Sequence, residues 1–118
     1  DYTVGVLMQT NFGAVSELTM LGAPIGHGIE NEFEFPVDDG SVMIVIATDA
    51  PLTSRQLGRL ARRVPFGLGR TGTICHHGSG DFVIAFSTAS PQNTIPDHQH
   101  KMLNGLFQGV VECVEESI

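Results

Sequence analysis

Four residues have the types and the spacing that acyl-transfer chemistry uses: Ser41 directly after Gly40, Ser79 and Asp81 in the run GSGD, and Asn11 closing an apolar stretch. A serine that follows a glycine can attack the carbonyl before it, because glycine lacks a Cβ and reaches backbone angles that hold that carbonyl under strain. The ester so formed would hydrolyse and leave Ser41 as a new N-terminus. Its α-amine, with an ordinary pKa of about 8, would then act as general base for its own hydroxyl. Ser79 and Asp81 stand two apart at the mouth of a strand-like run, so both side chains point the same way. A carboxylate there can orient an ammonium or hydroxyl network. The Asn11 amide can donate to a developing oxyanion, a contact typically worth about 3 kcal/mol. Taken singly, each of these positions also fits an ordinary turn that opens or closes a strand.

A second group, Cys75, His76, His77, Asp97, His98 and His100, has the atom types of a zinc site. No helical HExxH or paired CxxC fixes their geometry, so neither a metal nor any other cofactor is expected. Cys75 as a nucleophile has no better support, since a histidine adjacent in sequence need not be adjacent in space.

The elements that must position these residues follow from hydrophobic period and breakers. YTVGVLMQT, residues 2 to 10, reads as a strand that stops at NFG, and residues 14 to 40 read as irregular. SVMIVIAT, residues 41 to 48, is an uninterrupted apolar run, the pattern of a strand covered on both faces. TSRQLGRLARRV then predicts a helix, with Thr53 and Gln56 in capping-box spacing, Leu57, Leu60, Ala61 and Val64 on one stripe, and Pro65 and Gly67 ending it. TGTICHHGSG is a glycine-punctuated loop leading to a third strand, DFVIAFSTA, residues 81 to 89. From about Asp97 a last helix presents Met102, Leu103, Leu106, Phe107, Val110, Val111, Val114 and Ile118 on one face. Strand, strand, helix, strand, helix is the order of a layered α/β domain.

Length and charge narrow the functions. A chain of 118 residues suits one domain, and 6 basic against 13 acidic residues, a net charge of −7, argues against nucleic-acid or anionic-membrane partners. Arg55, Arg59, Arg62, Arg63 and Arg70 cluster, as the solvated or ion-paired face of one helix would. Two cysteines make no disulfide scaffold, and neither a leader nor an apolar run of about 18 residues is present, so a reducing, cytoplasmic setting is the default expectation. The chain opens straight on a strand-like run, and Glu112, Glu115 and Glu116 in its last turn oppose the helix dipole. Both features are those of a piece cut from a longer chain.

In YTVGVLMQTNFG, DGSVMIVIATDAPLTSRQLGRLARR, GSGDFVIAFSTA and LNGLFQGVVECVEESI, the sequence resembles the self-processing serine aminopeptidases, in family order. That family includes the L-aminopeptidase/D-Ala-esterase/amidase DmpA and the β-peptidyl aminopeptidases. The resemblance implies a four-layer α/β/β/α fold of the N-terminal-nucleophile type, shared with ornithine acetyltransferases and incomplete here at both ends. It implies that Gly40–Ser41 is the autocleavage junction, with residues 1–40 ending the larger subunit and 41–118 starting the smaller. Ser41 would be the nucleophile, Ser79 and Asp81 its assistants, and Asn11 the oxyanion donor. Where some relatives carry Glu, this chain has the shorter Asp81. The implied partners are a short peptide, amino-acid amide or ester as substrate and further copies of the cleaved protomer in a homo-oligomer, with no nucleic acid and no membrane. The region that binds the substrate's amino group would lie upstream. Two rivals remain at this point, an acetyl-transferring relative, which typically uses threonine where this chain has Ser41, and a non-catalytic remnant of the fold.

Overall fold

The computed structural model of the chain describes residues 1–30 and 40–118. Three strands, β1 (Val4–Asn11), β2 (Ser41–Thr48) and β3 (Gly80–Ser87), form one sheet in that order, β1 antiparallel and β3 parallel to the central β2. The helices are α1 (Gly26–Glu30), α2 (Ser54–Ala61), α3 (Val64–Arg70) and α4 (His100–Ser117), with a 3-10 turn at Val15–Glu17.

Side chains alternate across the strands, so one face of β2 carries Val42, Ile44, Ile46 and Thr48, all buried. That face packs on Leu60, Val64 and Leu68 and on Leu103, Leu106, Phe107, Val110 and Val114 of α4. These five follow the three- and four-residue helical repeat, with Leu106 and Phe107 side by side, and make the helix's apolar stripe. Met102 and Ile118, expected on the same stripe, are partly exposed at its margins, at 40% and 43%. The opposite face of the sheet is open. Leu7, Met43, Phe82, Ile84 and Phe86 stand exposed on it, and no described element crosses it. The apolar run of β2 is therefore covered on one face in this chain, not two. The described residues supply one sheet and one helical layer of the four expected.

Two further expectations need correction. Residues 14 to 40 are not irregular throughout, since the 3-10 turn and α1 fall within them; 31–39 of that segment lie outside the described residues. The helix after β2 is two helices. Pro65 falls in the first turn of α3, where its missing N–H leaves no bond unmade, so it starts a helix as well as stopping one. Gly67 is not a stop either. A Cβ there would lie 2.7 Å from the Val114 Cβ, so glycine is what lets α3 approach α4.

The capping box is as expected, with the Gln56 N–H donating to the Thr53 Oγ1 at 3.2 Å and the Thr53 N–H to the Gln56 Oε1 at 2.9 Å. The buried Gln56 amide also reaches the Ile95 carbonyl at 2.7 Å and the Asp97 carboxylate at 2.9 Å. The arginines spread over α2 and α3. Arg55 pairs with Asp97 and Arg70 with Glu115, while Arg59 and Arg63 lie 5.0 and 4.3 Å from the Phe107 ring centre. Among the described residues no helix is long and apolar enough to cross a membrane.

Candidate active site

Strand direction brings the singled-out residues to one place. Since β1 runs against β2, it ends at Asn11 beside the start of β2; since β3 runs with β2, its start at Gly80 lies on the other side. Asn11, Ser41 and Gly80 are register partners in one row across the sheet, with their Cβ directions on the open face. Ser41 is exposed and Val42, the next residue, is fully buried. A rigid strand thus holds the hydroxyl in place while leaving it accessible.

Gly40 sits against the end of β1 so closely that a Cβ would fall 2.6 Å from the Asn11 carbonyl oxygen and 2.7 Å from the Phe12 Cα. Only glycine fits. Its own carbonyl accepts the Gly80 N–H at 3.2 Å, extending the β2–β3 ladder one step across the Gly40–Ser41 peptide. A recess of about 260 Å³ adjoins Asn11, walled by Phe12, Gly13, Thr71 and Thr73.

Ser79 and Asp81 do point the same way, and the Ser79 hydroxyl donates to the Asp81 carboxylate at 2.7 Å. Register puts Asp81 opposite Val42, however, on the helix-covered side of the sheet. The pair flanks the Gly40–Ser41 peptide without sharing a face with the Ser41 hydroxyl. A second neighbour of Asp81 is Cys75, which adopts a left-handed backbone with φ 56°, uncommon for a residue with a side chain. Burial, then the charge of Asp81 and a hydrogen bond to it, raise the Cys75 thiol above its ordinary value. The thiolate is the reactive form, so these surroundings lower the reactivity of Cys75 at a given pH. Its alkylation, followed by peptide mapping, should show a pH midpoint above the ordinary value of about 8.5. Asp81→Asn should bring that midpoint down; an unchanged midpoint would mean that the carboxylate does not face the thiol.

The histidines do not converge. His76 pairs with Glu17 at 2.8 Å, which ties the loop before β3 to the 3-10 turn. Among the described residues no three His, Cys, Asp or Glu side chains are grouped to hold a metal. Two features escape the residue-type survey, the Gly80 N–H at the Gly40 carbonyl and Cys75 as a neighbour of Asp81. The first had a signal in the glycine between Ser79 and Asp81.

The whole chain, residues 1–118, matches the model of peptidase family S58. It is 39% identical over 139 aligned residues to the β-peptidyl aminopeptidase BapA of Sphingosinicella xenopeptidilytica, covering 99% of this chain and 35% of the relative. A solved protein of Pyrococcus horikoshii OT3 is similar at 42% identity and TM-score 0.83, over 99% of this chain and 34% of that one. So is the L-aminopeptidase D-Ala-esterase/amidase of Ochrobactrum anthropi, a variant of the N-terminal-nucleophile hydrolase fold, at 36% identity and TM-score 0.85, over 99% and 34%. The chain spans about a third of the length of these relatives, and its elements are part of that fold.

Proposed function

The chain belongs to peptidase family S58, and from that membership we propose that it carries the autocleavage junction and the nucleophile of a serine aminopeptidase. In this reading residues 1–40 end one subunit and 41–118 begin the other. Ser41 attacks the carbonyl after the first residue of a short peptide, amide or ester, its α-amine takes and returns the proton, and water releases the acid. Asn11, its register partner on the open face, donates to the oxyanion. Because Asp81 lies on the opposite side of the sheet from the Ser41 hydroxyl, its role, with Ser79, is to hold the new α-ammonium, which lies in the plane of the sheet and is open to either side. The assembly would be a homo-oligomer of cleaved protomers.

The observation that carries this proposal is the row Asn11–Ser41–Gly80, in which strand pairing sets an amide, a hydroxyl and a space side by side at the junction. Intact-mass measurement of the full-length protein tests it, with two fragments dividing between Gly40 and Ser41 as the expected result. A single uncut species without activity on peptide amides or esters would refute it. Asn11→Ala should lower kcat about 100-fold with KM little changed, since the donor acts on charge that develops only in the transition state. A change confined to KM would make Asn11 a binding residue instead.

A further inference from the structure

We propose, on the reading that Ser41 is the nucleophile and Asp81 holds its amine, that Glu17 and His76 are positioning residues for Asp81. Three contacts in series join them. The His76 Nε2 meets the Glu17 Oε2 at 2.8 Å, the Ser79 N–H donates to the His76 carbonyl at 2.9 Å, and the Ser79 hydroxyl donates to the Asp81 carboxylate at 2.7 Å. The first fixes where the loop before β3 lies, the second closes the turn 76–79, and the third aims the carboxylate. The loop needs such a tie. Ile74, His76, His77 and Gly78 are exposed, so burial does little to hold them, and a segment with few buried contacts opens easily.

The far end of the series is firm. Glu17 closes the 3-10 turn, its N–H donating to the Ala14 carbonyl at 3.1 Å, and its own carbonyl oxygen stands where a Cβ on Gly72 would come within 1.8 Å. The turn is therefore seated against the start of the same loop, with the Thr19 N–H donating to the Thr71 carbonyl at 2.9 Å beside it. Glu17 precedes the proposed cut and His76 follows it, so after cutting the two belong to different pieces, and the larger piece holds the acid of the smaller in place. Both side chains are partly exposed, at 30% and 45%, and ion pairs so placed add little to folding stability. What the pair supplies is alignment. A carboxylate displaced from the Ser41 amine slows proton transfer in every turnover, because rate falls steeply when a catalytic group is misplaced. Neither Glu17 nor His76 belongs to the Asn11–Ser41–Gly80 row that faces the substrate, so substrate affinity should hold while turnover falls.

Steady-state kinetics of the full-length protein on a peptide amide test this, with Glu17→Ala, His76→Ala and the double variant. Each single variant should lose kcat about 10-fold with KM changed by no more than about twofold. The denaturation midpoint should stay where it is, and the double variant should be no slower than either single one, because the two side chains act as one unit. Wild-type kcat in both single variants would overturn the proposal, as would a double variant whose loss is the product of the single losses. A loss carried by KM would make the pair a substrate contact, and a midpoint lowered in step with kcat would make it a general brace; either result also overturns the positioning role. Should an alanine variant not fold, His76→Phe keeps a ring without the nitrogen, and wild-type kcat there overturns the proposal equally. Ser41→Ala run alongside keeps the two ideas apart. Activity in that variant defeats the nucleophile itself, whereas an inactive Ser41→Ala beside unaffected Glu17 and His76 variants defeats the pairing alone.

Discussion

Ser41→Ala in the full-length protein should yield a single uncut chain that hydrolyses no peptide amide or ester. Every step assigned above passes through this residue, first its hydroxyl and then its amine, so there is no partial loss to expect. Removal of a nucleophile that acts as a unit with its base lowers turnover by several orders of magnitude, on the order of 10³-fold at least, to below what such an assay detects. The fold should not suffer. Ser41 is an exposed first residue of β2, and the core begins at Val42 behind it. A stability change within about 0.5 kcal/mol is typical of such a site. Folded protein that remains cut before position 41 would remove Ser41 from the mechanism.

The second large effect is structural. Gly72→Ala should destabilise the protein by about 3 kcal/mol or more, read as a lowered denaturation midpoint. Gly72 has φ +102°, a conformation that side chains avoid, and an added Cβ would lie 1.8 Å from the Glu17 carbonyl oxygen. The two segments are also strapped together, with the Thr19 N–H donating to the Thr71 carbonyl at 2.9 Å and the Thr19 hydroxyl to the Arg70 carbonyl at 2.8 Å. Backbone must move against backbone. Gly69→Ala is the control, since nothing lies within 4 Å of its Cβ position and alanine favours helix by about 0.5–1 kcal/mol. Equal midpoints for the two variants would show that the strap does not form. Because Glu17 also pairs with His76, three residues before Ser79, the displaced turn should slow self-cleavage as well.

β2 was legible in the sequence because SVMIVIAT is bounded by turn residues, and its observed limits match. What covers its second face was not legible, because an apolar run reports the environment of the complete fold and this chain supplies one side of it. Pro65 is ambiguous in the same local sense, since a missing N–H both ends one helix and suits the first turn of the next. At the site, residue types picked out Asn11, Ser41, Ser79 and Asp81, but their meeting at one end of the sheet depends on strand direction. No short window encodes that. The face on which Asp81 lies depends on register, because pairing Ser41 with Gly80 sends the next residue to the other side.

The proposed junction immediately precedes the first residue of the central strand, which is hydrogen-bonded along both edges. Newly made chain ends ordinarily fray. An end created at Ser41 would be born clamped between β1 and β3, so a peptide bond could be lost there without the two pieces coming apart. The cut would turn one chain into two while leaving one folded body, with its new terminus as firmly held as any residue in the middle of a sheet.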